Sequence, residues 1–342
     1  MPALAIAAAL RDSGDAQVDF VGGERAEAEL VPAAGYPFHQ LQVLGIDRRN
    51  PLRAARALSL AALALPRAVT LLRQIRPDAV VGGGGYVAGP VGLAAVLLRV
   101  PLALTEADSH LGMANRLLAP FARRVFLSFP SSERRGSKYV VSGRPLPAGT
   151  GEADRDAARA RFHIASEERC LLVFGGSLGA RRLNDAALEA FGADAPCAVL
   201  HASGRRDYGT LRARLDALGS PAHYHLHAYI EPFADALAAA DVVAARAGGS
   251  VLELAAAGLP AVLVPYPHAT ADHQTSNARW MERAGAAVVV PDAELDGARL
   301  AREVAALFGA PERLHAMGAA AKAAAEPNAA ETIAREVLRL AA

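Results

Sequence analysis

The sequence predicts an α/β protein built from two doubly wound, Rossmann-like domains. Short apolar runs alternate with helical segments along all 342 residues, as expected for parallel strands that helices cover on both faces. Glycine-rich turns follow several of these runs, and the chain is long enough for two domains of ordinary size. Because such folds bind ligands at the carboxyl ends of their strands, we expect the site in a cleft between the two domains.

Ten apolar runs are predicted to be strands, with helical segments between most of them. They comprise 18–22, 78–83, 101–106 and 124–129 in the first half, and 170–176, 197–204, 223–229, 241–249, 260–266 and 286–291 in the second. The predicted first domain is 1–148 and the predicted second domain is 167–326. A glycine-containing and then charged segment, 149–166, is predicted as the linker. The final segment, 327–342, is predicted as a helix that packs back on the first domain.

The charge balance argues against a nucleic-acid partner, because the 36 basic residues are matched by 35 acidic ones. The first 148 residues hold 17 of the basic and 11 of the acidic residues. This excess favours an anionic surface or substrate, although a solvated face explains it equally well. The only cysteines, Cys170 and Cys197, lie in apolar runs. We therefore expect a reducing cytoplasm and neither a metal site nor a cofactor.

The segment 48–77 mixes a long apolar stretch with several arginines and contains no acidic residue. Such a segment can lay leucines into a bilayer interface while its arginines contact anionic headgroups. The alternative is a pair of core helices with basic ends, divided at Pro66.

Two glycine-rich turns stand where a strand passes into a helix. FGGSLGARRLN (174–184) suits a phosphate, since backbone N–H groups and the helix dipole favour an anion and the hydroxyl of Ser177 adds a donor. A turn without a ligand is equally compatible with the loop alone. In VVGGGGYVAGP (80–90), the backbone N–H groups could bind a second anion, or the glycines could allow another loop to approach closely. The alternative is a turn that is lined by glycine and binds no ligand.

Polar side chains also lie at three other predicted strand ends. Ser250 and Glu253 have the spacing of a capping box, whereas Glu253 is equally suited to accept two vicinal ribose hydroxyls. Gln274 and Asn277 share a helix face and suit sugar hydroxyls, because amides donate and accept at once. Glu106 and Asp108 are candidates for a general base or for orienting an acceptor, or they cap the helix that begins near 112.

Three of these segments together resemble the peptidoglycan N-acetylglucosaminyltransferase (MurG) family. GGSLGARRLN resembles its GGSxGA loop, and GGGGYVAGP resembles its GxGGYxxGP loop. The stretch from RAGGSVLELAAAGLP to DHQTSNA (246–278) is similar to the long donor-site segment of the family. The likeness extends over nearly the whole chain, including the closing PNAAETIAREVL.

The resemblance implies the two-domain GT-B glycosyltransferase fold. It also implies transfer of N-acetylglucosamine, with inversion at the anomeric carbon, from UDP-N-acetylglucosamine to undecaprenyl-pyrophosphoryl-N-acetylmuramoyl-pentapeptide (lipid I). The product is lipid II, used in peptidoglycan synthesis. An enzyme of this kind lies on the cytoplasmic side of the cell membrane as a peripheral protein and contacts its anionic surface.

The resemblance assigns residue roles where motifs match. Ser177, beside Gly179, binds a donor phosphate; Ile230 holds the uracil through its backbone; and Glu253, after Gly249 and Ser250, accepts the ribose hydroxyls. Gln274 and Asn277 read the sugar, while Gly84, Gly85 and Tyr86 line the acceptor side. Asp108 stands in TEAD where the family has the asparagine of HEQN. GRPLP replaces GNPxR, so that Pro147 takes the place of the arginine and only Arg144 substitutes for it. The segment 246–253 is one residue shorter than usual.

The family's first loop, GGTGGH, should immediately precede PALAIAAAL, where this chain has only Met1. The sequence therefore predicts an incompletely read frame whose product lacks the first strand and loop, binds donor and transfers poorly. No residue is assigned as the general base, and Glu106 and Asp108 are its candidates. The alternatives are a related glycosyltransferase with another lipid acceptor, such as diacylglycerol, a UDP-N-acetylglucosamine 2-epimerase, and a non-catalytic UDP-sugar binder.

Overall fold

The structure, a computed structural model, describes residues 2–14, 16–24, 26–43, 51–130, 136–147, 149–175, 180–269 and 272–342. The chain divides into two compact units. Unit 1 comprises Met1–Pro147 together with Glu326–Ala342, and unit 2 comprises Ala148–Ala325. Among the described residues, no helix is both long enough and apolar enough to cross a bilayer.

Unit 1 contains two parallel sheets. A pair, β1 (Phe20–Gly22) and β2 (Phe38–Gln40), lies apart from a four-stranded sheet with the order β3-β4-β5-β6. The four strands are Val80–Gly82, Leu102–Glu106, Arg124–Leu127 and Tyr139–Val141. The helices are α1 (Pro2–Asp12), α2 (Glu27–Ala33), α3 (Pro51–Ile75), α4 (Gly85–Leu97), α5 (Met113–Leu118) and α14 (Ala329–Ala341).

The terminal helix α14 is part of unit 1. Its apolar face, with Ile333 and Val337, packs against Ile6 and Leu10 of α1. Arg124 at the start of β5 donates to Glu336 of the same helix at 3.0 Å, and this contact lowers the pKa of the Glu336 carboxyl.

Unit 2 is one doubly wound domain around a six-stranded parallel sheet with the order β12-β11-β10-β7-β8-β9. Its strands, from β7 to β12, are Cys170–Phe174, Ala198–Ala202, Tyr224–His227, Val242–Ala245, Ala261–Leu263 and Ala287–Val289. Its helices, from α6 to α13, are Arg155–Arg161, Arg181–Phe191, Arg205–Ala217, Phe233–Ala239, Val251–Ala257, His273–Arg283, Gly297–Phe308 and Pro311–Ala324. The central strands are buried over their full length, as their uninterrupted apolar sequences predict.

All ten predicted strands are present, and the structure adds β2 and β6. Both added strands are three residues long and half-buried or exposed. In β2 two polar residues follow Phe38, and the apolar run of β6 is limited to its three residues, YVV. The division of the segment 48–77 at Pro66 is wrong, because α3 continues through that residue. Ala64, Ala68 and Leu72 bury the inner face of the helix, and this packing offsets the hydrogen bond that a proline cannot donate.

The segment 149–166, predicted as a linker, lies within unit 2 and contains α6. Arg159 of this helix is buried and donates to the carbonyls of Ala165, Ser166 and Glu168 at 2.7–2.8 Å. It also pairs with Asp241 at 2.8 Å, directly before β10. The arginine thereby attaches this charged segment to the base of the sheet.

Candidate active site

The strand order of unit 2 defines a switch point between β7 and β10. The chain leaves these neighbouring strands toward opposite edges of the sheet, which opens a crevice at their carboxyl ends. The glycine-rich segment of the sequence begins directly after β7, and Gly248 and Gly249 follow β10. Unit 2 therefore places side by side the two strand ends after which these sequence-predicted ligand loops begin. Ser177 and Gly179 lie outside the described residues.

Arg246, directly after β10, contacts the loop that follows the neighbouring strand β11. Its guanidinium is 2.6 Å from the carboxylate of Asp292 and donates to the carbonyls of Val264 and Pro265 at 3.2 and 3.3 Å. The ring of Tyr266 lies over the same guanidinium, 5.6 Å away. The arginine thus fixes the loop that leads from β11 to the predicted sugar-reading helix α11.

Gln274 and Asn277 occupy different environments in α11. The side-chain oxygen of Gln274 accepts the backbone N–H of Tyr266 at 2.9 Å, and the residue is half-buried. Asn277 is fully buried and donates to the carbonyl of Ala247 at 3.1 Å. Its Oδ1 has no hydrogen-bond partner among the residues that the structure describes. This geometry favours a structural role for Asn277, whose hydrogen bond joins α11 to the loop after β10. Gln274 lies nearer the surface.

One of the two alternatives for Ser250 and Glu253 is a capping box, and the structure lacks its serine hydrogen bond. Ser250 occupies the N-cap position of α10, but its side chain makes no capping hydrogen bond. Glu253 is half-buried in the first turn of this helix, and Gly249 lies just before the cap. The capping alternative for this pair is therefore weakened.

The loop after β9 carries Ile230, which is buried, beside Tyr229, which is 55% exposed. The guanidinium of Arg205, at the start of α8, lies 6.0 Å from the centre of the Tyr229 ring. The carboxyl ends of β8 and β9 therefore present an aromatic and cationic surface next to the predicted uracil-binding residue.

A buried polar chain, which sequence reasoning missed, runs from the core of unit 2 to the same edge. His201 is fully buried; its Nδ1 lies 2.8 Å from the hydroxyl of Tyr224 and its Nε2 lies 3.1 Å from Oδ1 of Asn184. Burial lowers the pKa of His201 to about 3, so the ring is neutral. Because Oδ1 of an asparagine can only accept, Nε2 carries the proton and Nδ1 accepts from the tyrosine. The residues of this polar chain are distant in sequence, and no motif links them.

The chain continues to the surface through Asp207. Asn184 donates to the carbonyl of Ser203 at 3.0 Å and to Oδ2 of Asp207 at 3.2 Å. Burial raises the pKa of the Asp207 carboxyl, but the hydrogen bond and charge of Arg206, with those of Arg181, outweigh it and hold the pKa below its ordinary value. Asp207 is therefore a carboxylate anchored to the core.

In unit 1 the predicted acceptor loop joins β3 to α4. Gly84 and Gly85 both have φ of 77°, a backbone conformation that side chains disfavour. Gly84 is the N-cap of α4, and Tyr86 is 48% exposed in its first turn. The glycine run is thus required by the turn itself, and it leaves an aromatic ring at the surface.

The two candidate bases at the end of β4 differ in burial and in partners. Glu106 is 7% exposed. Its carboxylate accepts the N–H groups of Asp108 and Gly112 at 3.2 and 2.8 Å, and the side-chain amide of Asn115 at 2.9 Å. This arrangement favours a loop-positioning role for Glu106. Asp108 is half-buried and is the carboxylate of the pair that lies nearer the solvent.

Arg144 is half-buried in the turn after β6. The preceding residue, Gly143, lies so close to Glu326 that an added Cβ would collide with the Cβ of that residue. The GRP turn is therefore fixed against the beginning of the C-terminal segment, and this contact places Arg144 in unit 1.

Comparison with known proteins identifies the family. Residues 1–127 match the glycosyltransferase family 28 N-terminal domain, and residues 170–333 match the corresponding C-terminal domain. The UDP-N-acetylglucosamine–N-acetylmuramyl-(pentapeptide) pyrophosphoryl-undecaprenol N-acetylglucosamine transferase of Moorella thermoacetica is 42% identical over 351 residues, with 99% of this chain and 95% of the relative covered. The protein of the same name from Salinibacter ruber is 43% identical over 357 residues, with 99% and 93% covered.

A solved structure agrees with these matches. The crystal structure of Acinetobacter baumannii MurG has a TM-score of 0.78 and 31% identity to this chain, with 99% of this chain and 95% of that chain covered. These findings confirm the predicted two-domain GT-B fold and the resemblance drawn from the motifs. The chain belongs to glycosyltransferase family 28 and, within it, to the MurG group of UDP-N-acetylglucosamine-dependent glycosyltransferases.

Proposed function

We propose that this enzyme transfers N-acetylglucosamine from UDP-N-acetylglucosamine to lipid I and so forms lipid II for peptidoglycan synthesis. The relatives that cover nearly its full length carry the name of this reaction. The structural observation that carries the proposal is the switch point of unit 2, where the neighbouring strands β7 and β10 end side by side. A sugar nucleotide needs such a place for its diphosphate and ribose.

Donor binding is assigned to unit 2. The glycine-rich turn before α7, with Ser177 and Gly179, takes the diphosphate, and the loop of Ile230 takes the uracil. Gly249, Ser250 and Glu253 take the ribose. Gln274 lies next to the Tyr266 loop, which Arg246 supports, and reads the sugar. Asn277 acts behind it by holding α11 against the carbonyl of Ala247.

Acceptor binding is assigned to unit 1, to the turn of Gly84, Gly85 and Tyr86 and to Asp108 and Arg144. The acceptor hydroxyl attacks the anomeric carbon as the bond from that carbon to the diphosphate oxygen breaks, which inverts the configuration. Asp108 takes the hydroxyl proton, since the Glu106 carboxylate is already occupied by three N–H donors. The negative charge that develops on UDP is stabilised by N–H groups at the start of α7.

Peripheral attachment to an anionic membrane is assigned to exposed apolar and cationic side chains of unit 1. Leu63 of α3, Leu97 of α4, and Leu117 and Phe121 at α5 are 60–66% exposed. Exposed arginines, among them Arg67, Arg99, Arg116 and Arg123, lie close to them in sequence. Apolar side chains flanked by cations suit the interface of an anionic bilayer. Leu63 and Arg67 belong to the 48–77 segment, and the other residues belong to the next two helices or directly follow them.

The experiment is a UDP-release assay on the full chain with lipid I, with diacylglycerol and with no acceptor. We expect release that depends on lipid I, together with a lipid II product. UDP release that depends on diacylglycerol instead would identify diacylglycerol, and not lipid I, as the acceptor. Tight binding of UDP-N-acetylglucosamine without release under any condition would identify a non-catalytic binder, and conversion of the free sugar nucleotide would identify an epimerase.

A further inference from the structure

Two arginines share one anchored carboxylate at the carboxyl edge of the unit 2 sheet. Oδ1 of Asp207 accepts from Nε of Arg206 at 3.1 Å and from Nη2 of Arg181 at 3.5 Å. The Asp207 side chain is 6% exposed, whereas those of Arg181 and Arg206 are 73% and 60% exposed. The carboxylate is thus fixed, and the guanidinium groups extend from it into solvent.

The elements place both arginines where an anionic ligand would lie. Arg181 begins α7 and Arg206 is the second residue of α8, and these helices follow the paired strands β7 and β8. Both side chains therefore stand at the carboxyl edge, beside two helix N-termini.

The charges do not cancel. A single carboxylate faces two guanidinium groups, each with five N–H donors of which few are used. Oδ2 of that carboxylate accepts from Asn184 at 3.2 Å and also from Nη2 of Arg206 at 3.4 Å. Asn184 is in turn held by His201, and His201 by Tyr224. An exposed ion pair by itself adds little stability, whereas a carboxylate built into the core keeps two cations at a defined place.

We propose that Arg181 and Arg206 contact the diphosphate of the sugar nucleotide and that Asp207 is the positioning residue that holds them, fixed by Asn184, His201 and Tyr224. This inference rests on the proposed function, since it presumes a nucleoside diphosphate-sugar donor. It assigns a role to two arginines that the motif matches leave without one: Arg181, which stands within GGSLGARRLN, and Arg206, which lies outside the matched motifs.

The test compares UDP with uridine, because only UDP carries the diphosphate. Titration calorimetry of the full chain should show that Arg181→Gln and Arg206→Gln each weaken UDP binding by about tenfold, the scale of one charge-assisted hydrogen bond. Uridine binding should stay unchanged, which also shows that unit 2 is folded. The matched control is Arg214→Gln, since Arg214 pairs with Asp185 between the same two helices at 2.5 Å. It should change neither affinity.

The Asp207→Asn variant distinguishes two roles of this carboxylate: it either positions the two arginines for the diphosphate or competes with the diphosphate for them. As a positioning residue, Asp207 should be needed for UDP binding, so the variant should lose UDP affinity while retaining uridine, and Asp207→Glu should recover part of it. A gain of UDP affinity in Asp207→Asn would show a carboxylate that competes with the phosphates and would overturn the positioning role. If the wild type binds UDP more tightly than uridine and both arginine variants keep that ratio, this inference fails and the proposed function stands. If the wild type does not bind UDP, the proposed function itself fails.

Discussion

Arg246 and Asp292 form an ion pair at 2.6 Å, with side chains only 8% and 17% exposed. Removing one partner of a buried pair leaves the other charge without compensation. We expect Arg246→Leu to lower the free energy of unfolding of unit 2 by about 3–5 kcal/mol. Trp280, the only tryptophan, lies in α11 of this unit, so its fluorescence during urea unfolding reports the loss. Adding Asp292→Asn should restore part of the stability, and strictly additive losses would show that the two side chains are not coupled.

Gln274 should distinguish the sugar nucleotide from its product. Gln274→Ala removes both the acceptor for the Tyr266 N–H and a side chain that can contact the sugar. We expect it to weaken binding of UDP-N-acetylglucosamine more than binding of UDP in titration calorimetry. Gln274→Glu keeps an acceptor for the Tyr266 loop and serves as the matched variant. An equal loss of affinity for both ligands in Gln274→Ala would contradict a role for Gln274 in recognising the sugar.

Glu106 and Asp108 should separate into a structural and a catalytic effect. Glu106→Gln replaces an acceptor of three N–H groups with an amide that itself donates, so we expect a lower melting temperature. Asp108→Asn should leave the melting temperature unchanged and lower kcat by roughly 10²- to 10⁴-fold, the usual contribution of a general base. The measurements are calorimetric melting and transfer to lipid I across pH. Full activity of Asp108→Asn would exclude this residue as the base.

The exposed apolar side chains of unit 1 should be needed for binding to anionic vesicles. We expect the double substitution Leu117→Gln and Phe121→Gln to reduce recovery in liposome flotation, because it removes two apolar side chains that can enter the interface. Leu218→Gln is the matched control, since Leu218 is also exposed but belongs to unit 2. Equal recovery of the wild type with anionic and neutral vesicles would contradict the electrostatic part of the proposal.

His201 should make unit 2 less stable in acid. Its pKa falls from 6.5 to about 3 on burial, so below about 6.5 the unfolded chain binds a proton that the folded chain does not. The stability that neutral His201 provides is present above that value and falls by about 1.4 kcal/mol per pH unit as pH decreases toward 3. Urea unfolding followed by Trp280 fluorescence should show a smaller loss in His201→Gln, whose side chain does not titrate. The exposed His315 gives the control: His315→Gln should keep the wild-type slope.

Local sequence patterns were enough to predict the two-domain fold, ten of the strands and the family. These features rest on local patterns, namely apolar runs, glycine at turns and helix periodicity, and each can be read within about a dozen residues. In β2 (FHQ) and β6 (YVV) the apolar pattern is absent or only three residues long, and these strands form because each pairs with a neighbouring strand.

Tertiary structure decided what the polar residues do. Arg246 and Asp292 are distant in sequence, as are Asn184 and Asp207, yet each pair meets at one sheet edge. The candidate base Glu106 proved to be buried by its own loop, and Asn277 became a clamp on Ala247. Pro66 remained inside a helix because α3 packs its inner face into the core. Burial and hydrogen-bond partners depend on which segments the fold brings together. They therefore cannot be predicted from the local sequence around a polar residue.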